Sequence, residues 1–511
     1  MRRRSNQESV EPLRPGNFAR PRPRDSDYQE VRPSQHAGNV DLPKAKQNRT
    51  VRPGSTKTNS AAVTNISEPP VSSVEPNEKF RLKPGHFLTF IGLWLFTLVL
   101  YARPAEFYPS PLTASIALII ALTTLAFFLP SQLSLDGTLT TRTPEINYVL
   151  LFMLTGLLSI PLAINPMTAW GEFSGAFIRC IVMFIVIVNV LRTKARLNAL
   201  LLLAMGSAVW LSVDAINDVR LGQATVEGYR TDGTGSGIFG NTNDMALHVV
   251  TLLPIGIAFL FGSKGVVRKI FFAACSVVML VAIVLSYSRG AFLGVIVVLM
   301  FLGMKLGSRH RLGVVLGVVV IGGAALLFTP DNYGGRLLSM FTSLDGGSAS
   351  ARRGELIRSL YVSLRHPLLG IGMGNYQNEM SYRGQVTHNA YTQVSVEMGI
   401  AALIFYTMFL VTPLRKLGQI VRETFTARHS SKYYHLAVGL QASLIGYMVS
   451  SFFLSVAYLW YVYYLVGFAV CLRRLYEAET GREVKVVKRK EAKRNKVRKT
   501  LPMSDGEVVA T

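Results

Sequence analysis

Apolar and polar residues separate into long blocks along this chain. Between residues 86 and 472, apolar runs of membrane-spanning length recur. Each is long enough to cross about 30 Å of hydrocarbon as a helix. No period-2 alternation accompanies them, so a helical bundle is expected rather than a β-barrel. The runs predict twelve spans, roughly 86–102, 112–130, 146–164, 173–191, 197–216, 243–262, 268–287, 289–306, 312–329, 389–411, 434–455 and 457–472. The break between the last two, near Ser455, is weak. Residues 1–84 are rich in Pro, Arg, Ser and Asn and cannot bury a core, so a disordered tail is expected. That tail is too long and polar for a signal peptide. The expected organisation is an all-α polytopic membrane domain over 85–472, flanked by basic tails at 1–84 and 473–511.

Half of the residues are hydrophobic, mean hydropathy is +0.31 and the net charge is +24. In a soluble protein such charge would suggest nucleic acid. Here it sits in tails and short loops, where membrane topology and anionic lipid account for it. With the N-terminus inside, the cytoplasmic connections are 131–145, 192–196, 262–269, 305–311 and 413–435; the last four are basic and the first is neutral. The C-terminal tail is basic again at 485–499. This positive-inside pattern places both termini in the cytoplasm. Two long connections, 217–242 and 330–388, then face outward and are expected to carry the working surface. The second predicts a helix over about 351–365, followed by the turn Gly370-Ile371-Gly372-Met373-Gly374. Cys180, Cys275 and Cys471 lie in apolar segments and read as packing residues, without metal-ligand or disulfide spacing.

At His388-Asn389 polar sequence stops and an apolar helix begins, expected to run to about Val411. A histidine at such a mouth titrates near neutral pH and reaches water and bilayer together; the plainer reading is a helix end. Asn241, Asn243 and Asp244, in the run Phe239–Ala246, open span six. They serve either as helix caps or as hydrogen-bonding groups for a sugar or acceptor hydroxyl. Arg289, in the short turn Ser286–Ala291, runs against the positive-inside bias; phosphate or pyrophosphate binding explains it better than snorkelling. Arg336, Arg352, Arg353, Arg358, Arg365 and Arg383 crowd the loop that His388 closes, which suits an anionic substrate. Arg352-Arg353 begins the loop helix, where the dipole disfavours positive charge, so a ligand role for one of them is favoured. Arg179 and Glu397 lie inside spans four and ten, as functional charges or as a mutual pair. The Gly370–Gly374 turn lacks the strand–turn–helix context of a nucleotide loop. No Ser-x-x-Lys, His-Glu-x-x-His or carboxylate-rich metal cluster is present.

These motifs resemble the O-antigen ligase-like superfamily of bacterial polytopic membrane glycosyltransferases. The resemblance rests on FGNTNDMA (239–246), SRGA (288–291), the run from Arg352 through RHPLLGIGMGNY (365–376), and HNAYTQVSVEMG (388–399). It covers roughly residues 86–472. His388, Asn389 and Gly399 meet the family's His-Asn-then-glycine spacing, while Ala402 departs from its frequent small or hydroxyl residue. The resemblance implies about twelve transmembrane helices, with a large periplasmic loop between the ninth and tenth. It also implies a glycan donor on undecaprenyl pyrophosphate, used at the periplasmic face of the bacterial inner membrane without metal, nucleotide or other cofactor. The acceptor is lipid A–core for a ligase, a lipid-linked glycan for a polymerase, or a protein hydroxyl. His388 matches the catalytic histidine, a general base. Arg289 and one of Arg352 and Arg353 would hold the pyrophosphate, with Asn241, Asn243, Asp244, Asn389 and Arg179 as further substrate-binding candidates. A transporter, which would place its essential residues in broken helices at the midplane, and an export scaffold working through its basic tails are the competing readings.

Overall fold

The computed structural model describes residues 82–222, 241–305, 347–381, 384–428 and 430–485. All of them fall in one compact unit spanning 73–511. Among the described residues the chain is all-helical, with no strand. In chain order the helices are α1 (Phe87–Ala102), α2 (Pro104–Phe107), α3 (Pro111–Asp136), α4 (Pro144–Ser159), α5 (Pro166–Glu172), α6 (Ile178–Val190) and α7 (Lys194–Arg220). There follow α8 (Thr242–Gly262), α9 (Val266–Leu285), α10 (Arg289–Lys305), α11 (Gly347–Arg365), α12 (Ala390–Glu423), α13 (Tyr434–Ser450) and α14 (Trp460–Thr480). Each predicted span coincides with a helix except the ninth, 312–329, which lies outside the described residues together with both distal tails.

Among the described residues, seven helices are long and apolar enough to cross a membrane. The protein is therefore read as a multi-pass membrane protein. Burial ranks these helices. Only 11% of the apolar window of α3 is covered by protein, against 72% for α8 and for the Tyr434–Phe453 segment that contains α13. α3 turns Leu112, Leu118, Leu122 and Leu129 outward, a face suited to hydrocarbon. α8 and α13 pack against one another at the centre, where Gly439 meets the Pro254 carbonyl and Gly446 meets Val250.

The α12 helix is longer than expected, and it is broken. It continues past Val411 and through Pro413 because Leu417, Ile420 and Val421 are spaced to bury one face. The break is at Gly399, at φ 87° and ψ 176°. In an unbroken helix the Val396 and Glu397 carbonyls would accept from residues 400 and 401. Here Ile371 N–H donates to Val396 O (2.9 Å) and Gly372 N–H to Glu397 O (2.9 Å), while Ile400 N–H donates to Pro367 O (2.8 Å). The glycine-rich turn is thus wedged into the helix. A Cβ on Gly399 would lie 2.1 Å from the Leu368 oxygen, and one on Gly370 would lie 2.4 Å from the Val396 oxygen. The same turn is stitched to the α4–α5 corner: Ile164 N–H donates to Ile371 O (3.1 Å), and Asn165 N–H donates to Asn375 Oδ1 (2.8 Å).

The weak break near Ser455 is a real one. α13 ends at Ser450, a short turn covers Ser451–Phe453, and α14 begins only at Trp460. At the opposite end of the bundle, Arg473 donates to both oxygens of the buried Glu145, at 2.5 and 3.0 Å, tying α14 to α4.

Candidate functional site

His388 sits half-buried at the mouth of α12, with a left-handed backbone (φ 53°). That conformation is uncommon for a non-glycine residue and costs roughly 1–3 kcal/mol, so neighbours must hold it. They do so on both sides. Thr387 Oγ1 hydrogen-bonds Ser455 Oγ (2.9 Å) and donates to the Asn389 carbonyl (3.1 Å). Asn389 caps α12, its Oδ1 accepting from the Tyr391 and Thr392 amides at 2.9 and 3.1 Å. Asn389 is itself buried, so its side chain serves the helix end.

Burial lowers the His388 pKa below its ordinary 6.5; the Arg352 guanidinium lowers it further, and the Glu355 carboxylate opposes both. These two charges arrive on α11, the helix expected in the loop. Arg352 and Glu355 are three residues apart and share a helix face. Glu355 is buried and fixed by three bonds: Tyr376 Oη donates to its Oε2 (2.6 Å) and to its carbonyl (3.1 Å), and Ser381 Oγ donates to its Oε1 (3.2 Å). Arg358 donates to the Met380 carbonyl (2.9 Å). Val362, Ile371, Tyr376 and Val396 form a small apolar cluster beneath, so α11, the glycine-rich turn and the upper half of α12 are packed together.

Arg289 begins α10 with three residues between it and the end of α9, half-buried, behind a left-handed Tyr287 (φ 51°). It reaches the same end of the bundle through the 448–457 connector. Ser450 Oγ donates to the Gly290 carbonyl (3.2 Å), and Gly290 is pressed against Phe453. The same connector receives the Tyr391 hydroxyl at Met448 O (3.0 Å), gives the Ala457 amide to Gln393 Oε1 (3.4 Å) and holds Thr387 through Ser455. The sequence neighbours of His388 and Arg289, Thr387 and Gly290, are thus both held by one segment, and Arg352 is the electrostatic neighbour of the imidazole.

The other expected residues are placed differently. Arg353 is exposed on α11, turned from the face that carries Arg352 and Glu355. Arg365 stacks on its own helix neighbour Tyr361, 4.5 Å from the ring centre. Asn241 caps α8, accepting from the Asn243 amide (2.9 Å) and its side-chain amide (3.2 Å). Asp244 lies beside Tyr461, which also neighbours Tyr101 and Arg103. Arg179 is exposed on α6, while Glu397 is buried at the break in α12 beside Tyr458, the Gly374 amide and Glu172. The expected alternative of an Arg179–Glu397 pair is not found among the described residues. Arg336 and Arg383 lie outside the described residues. Among the described residues, no group of three or more His, Cys, Asp or Glu side chains is arranged to hold a metal ion.

The sequence reading gives Glu355, Tyr376 and Ser381 no place at the site, and it gives the break near Ser455 no role there. The three-residue spacing of Arg352 and Glu355 was the available signal for the first. The weak break near Ser455 marks the connector in sequence, but its contacts to Gly290, Thr387, Tyr391 and Gln393 are distant ones.

No curated protein matches the chain. Residues 274–407 match a family model described as O-Antigen ligase, a stretch holding Arg289, Arg352, Arg353 and His388 but not Arg179 or the 241–244 group. That match supports the resemblance to the O-antigen ligase-like superfamily.

Proposed function

We propose that this protein is a membrane glycosyltransferase that moves a glycan from an undecaprenyl-pyrophosphate donor onto an acceptor hydroxyl at the periplasmic face of the inner membrane. The observation that carries this reading is the half-buried His388, held in a strained backbone beside Arg352 and at the connector shared with Arg289. The family match supports the reaction class. His388, with its pKa below 6.5, is neutral at pH 7 and takes the proton from the acceptor hydroxyl, a step typically worth about 10²–10⁴-fold. The acceptor oxygen attacks the anomeric carbon, and the bond to the pyrophosphate breaks with its electron pair leaving on phosphate oxygen. Arg289 and Arg352 hold that oxyanion and stabilise its growing charge. Arg352 is preferred to Arg353 because Arg352 faces the imidazole. Asn241 and Asn389 act through the helix ends they cap; Asp244, Asn243 and Arg179 are second-rank candidates for the glycan.

Ligation onto lipid A–core, polymerisation on a lipid-linked glycan and protein glycosylation all use this chemistry and differ in the acceptor. The test is transfer from lipid-linked donor in proteoliposomes. His388→Ala and Arg289→Ala are expected to abolish transfer while inserting normally, and wild-type-like product from His388→Ala refutes the mechanism.

A further inference from the structure

We propose that α11 and the glycine-rich turn dip into the membrane beside the bundle, and that the exposed stripe of α11 is seated against lipid acyl chains of the leaflet on the His388 side. The inference needs only the multi-pass reading and stands apart from glycosyl transfer.

The helix is patterned inside out. Ile357, Leu360, Tyr361, Leu364 and Leu368, the last just past the end of α11, fall at i, i+3, i+4, i+7 and i+11, one helical stripe. The stripe is turned away from the protein, with Leu364 68% and Leu368 81% exposed. The side turned inward carries Glu355, Ser359 and Ser363 beside Val362, all buried. A surface helix in water does the reverse. A contiguous apolar stripe facing outward asks for an apolar neighbour. α11 also carries Arg352, Arg353, Glu355, Arg358 and Arg365, too many charges for a span, so it enters the leaflet without crossing the membrane.

Depth and continuity say that the neighbour is lipid. The 448–457 connector joins α13 to α14 and bonds Thr387, Tyr391 and Gln393, so the edge of the bundle on this side lies at the start of α12. Pro367 O accepts from Ile400 N–H (2.8 Å), and Ile400 is about 15 Å along α12 from Ala390 at helical rise. The lower end of α11 is therefore sunk by about half of the roughly 30 Å hydrocarbon thickness. Its upper end keeps Arg352 beside His388. Non-helical backbone survives at such depth where its polar groups are bonded within the protein. The turn meets that condition: the Ile371 and Gly372 amides donate to the Val396 and Glu397 carbonyls, and Ile371 O accepts from Ile164 N–H. At this depth the stripe runs onto Ile400, Ile404 and Met408, exposed at a spacing of four on the membrane-spanning α12. The α4–α5 corner, bonded to the same turn, exposes Leu162, Ile164 and Met167. One apolar surface thus continues from α12 and the corner onto α11. The Arg365 guanidinium lies over Tyr361, 4.5 Å from the ring centre and one turn back toward the upper end, the posture of a cation reaching for headgroups.

The experiment uses the full chain in phosphatidylglycerol–phosphatidylethanolamine proteoliposomes. Single nitroxide labels are placed through Ile357→Cys, Leu360→Cys, Leu364→Cys, Leu368→Cys and Arg353→Cys. The three native cysteines are buried, so wild type supplies the baseline. Power-saturation spectroscopy compares collisions with oxygen, which enters hydrocarbon, and with a polar nickel chelate, which stays in water. The oxygen-to-nickel ratio is expected to rise from 357 to 368, reaching roughly tenfold the value at 353. A uniformly low ratio along the stripe shows a helix standing in water and overturns the proposal. Shielding from both reagents shows a protein cover and overturns it too; dipolar broadening between labels then identifies a second copy. The stripe positions are exposed, so these variants should fold, and four labelled sites keep the gradient measurable if one does not.

Discussion

Two charges of opposite sign flank His388, so removing each in turn should move its titration in opposite directions. Arg352 holds the imidazole pKa down and Glu355 pulls it up, with burial the larger influence on both backgrounds. In Arg352→Gln a positive neighbour is lost, protonation becomes easier and the pKa rises. In Glu355→Gln a negative neighbour is lost and the pKa falls further below 6.5. As a general scale, two unit charges about 8 Å apart at an effective dielectric near 40 interact by roughly 1 kcal/mol, which sets the order of the change that removing one neighbour makes. The assay is the rate of His388 carbethoxylation across pH 4.5–8 in the purified full chain, read by peptide mass spectrometry. The reagent attacks neutral imidazole, so its rate tracks the deprotonated fraction without any substrate. The acid limb of kcat/KM for transfer should move in parallel: a general base works when neutral, so activity is full above the pKa and falls tenfold per unit below it. Arg352→Gln shifts that limb to higher pH and Glu355→Gln to lower pH. Shifts of the same sign in both variants, or shifts under about 0.2 unit, would refute the arrangement.

Other substitutions test the scaffold around the site. Gly399→Ala should destabilise the fold by at least about 3 kcal/mol, because alanine strains at φ 87° and meets the Leu368 oxygen. Cys180, Cys275 and Cys471 are all buried, so a thiol-reactive dye reports that loss as a lower melting temperature. Tyr376→Phe removes the donor to Glu355 and should cost about 1 kcal/mol by the same assay, together with a small change in the His388 titration. Glu145→Gln leaves Arg473 buried without its bidentate carboxylate and should cost about 3–5 kcal/mol; a melt unchanged from wild type would show the pair to be solvated.

The long helices were legible because apolar length is written in contiguous residues, and the helix at 347–365 because its charge and apolar spacing are local. The reach of α12 past Val411 was obscured by Pro413, Arg415 and Lys416, which imitate a loop until the buried stripe of Leu417, Ile420 and Val421 is seen. His388, Arg289 and the Arg352-Arg353 pair stood out as charge against the expected topology. The choice between the two arginines was not readable, since adjacent residues differ only in which helix face they take. The glycine-rich turn lacks the sequence context of a nucleotide loop, but its insertion into a helix nearby in sequence, and its bonds to the distant α4–α5 corner, are tertiary facts. Asn241 carries two meanings in sequence, and the structure shows it capping; Asn389, expected only as a substrate-binding residue, caps a helix as well.

The interruption at Gly399 divides ownership of α12. The nine residues from Ala390 to Met398 are fastened to the turn and α11 by backbone bonds and a shared apolar cluster, while the lower half belongs to the bundle. A chimera that swaps α11 and the glycine-rich turn of this protein with those of a relative must therefore carry residues 347–399 as a single cassette. A junction placed at the visible start of the helix would sever the graft through its own foundation.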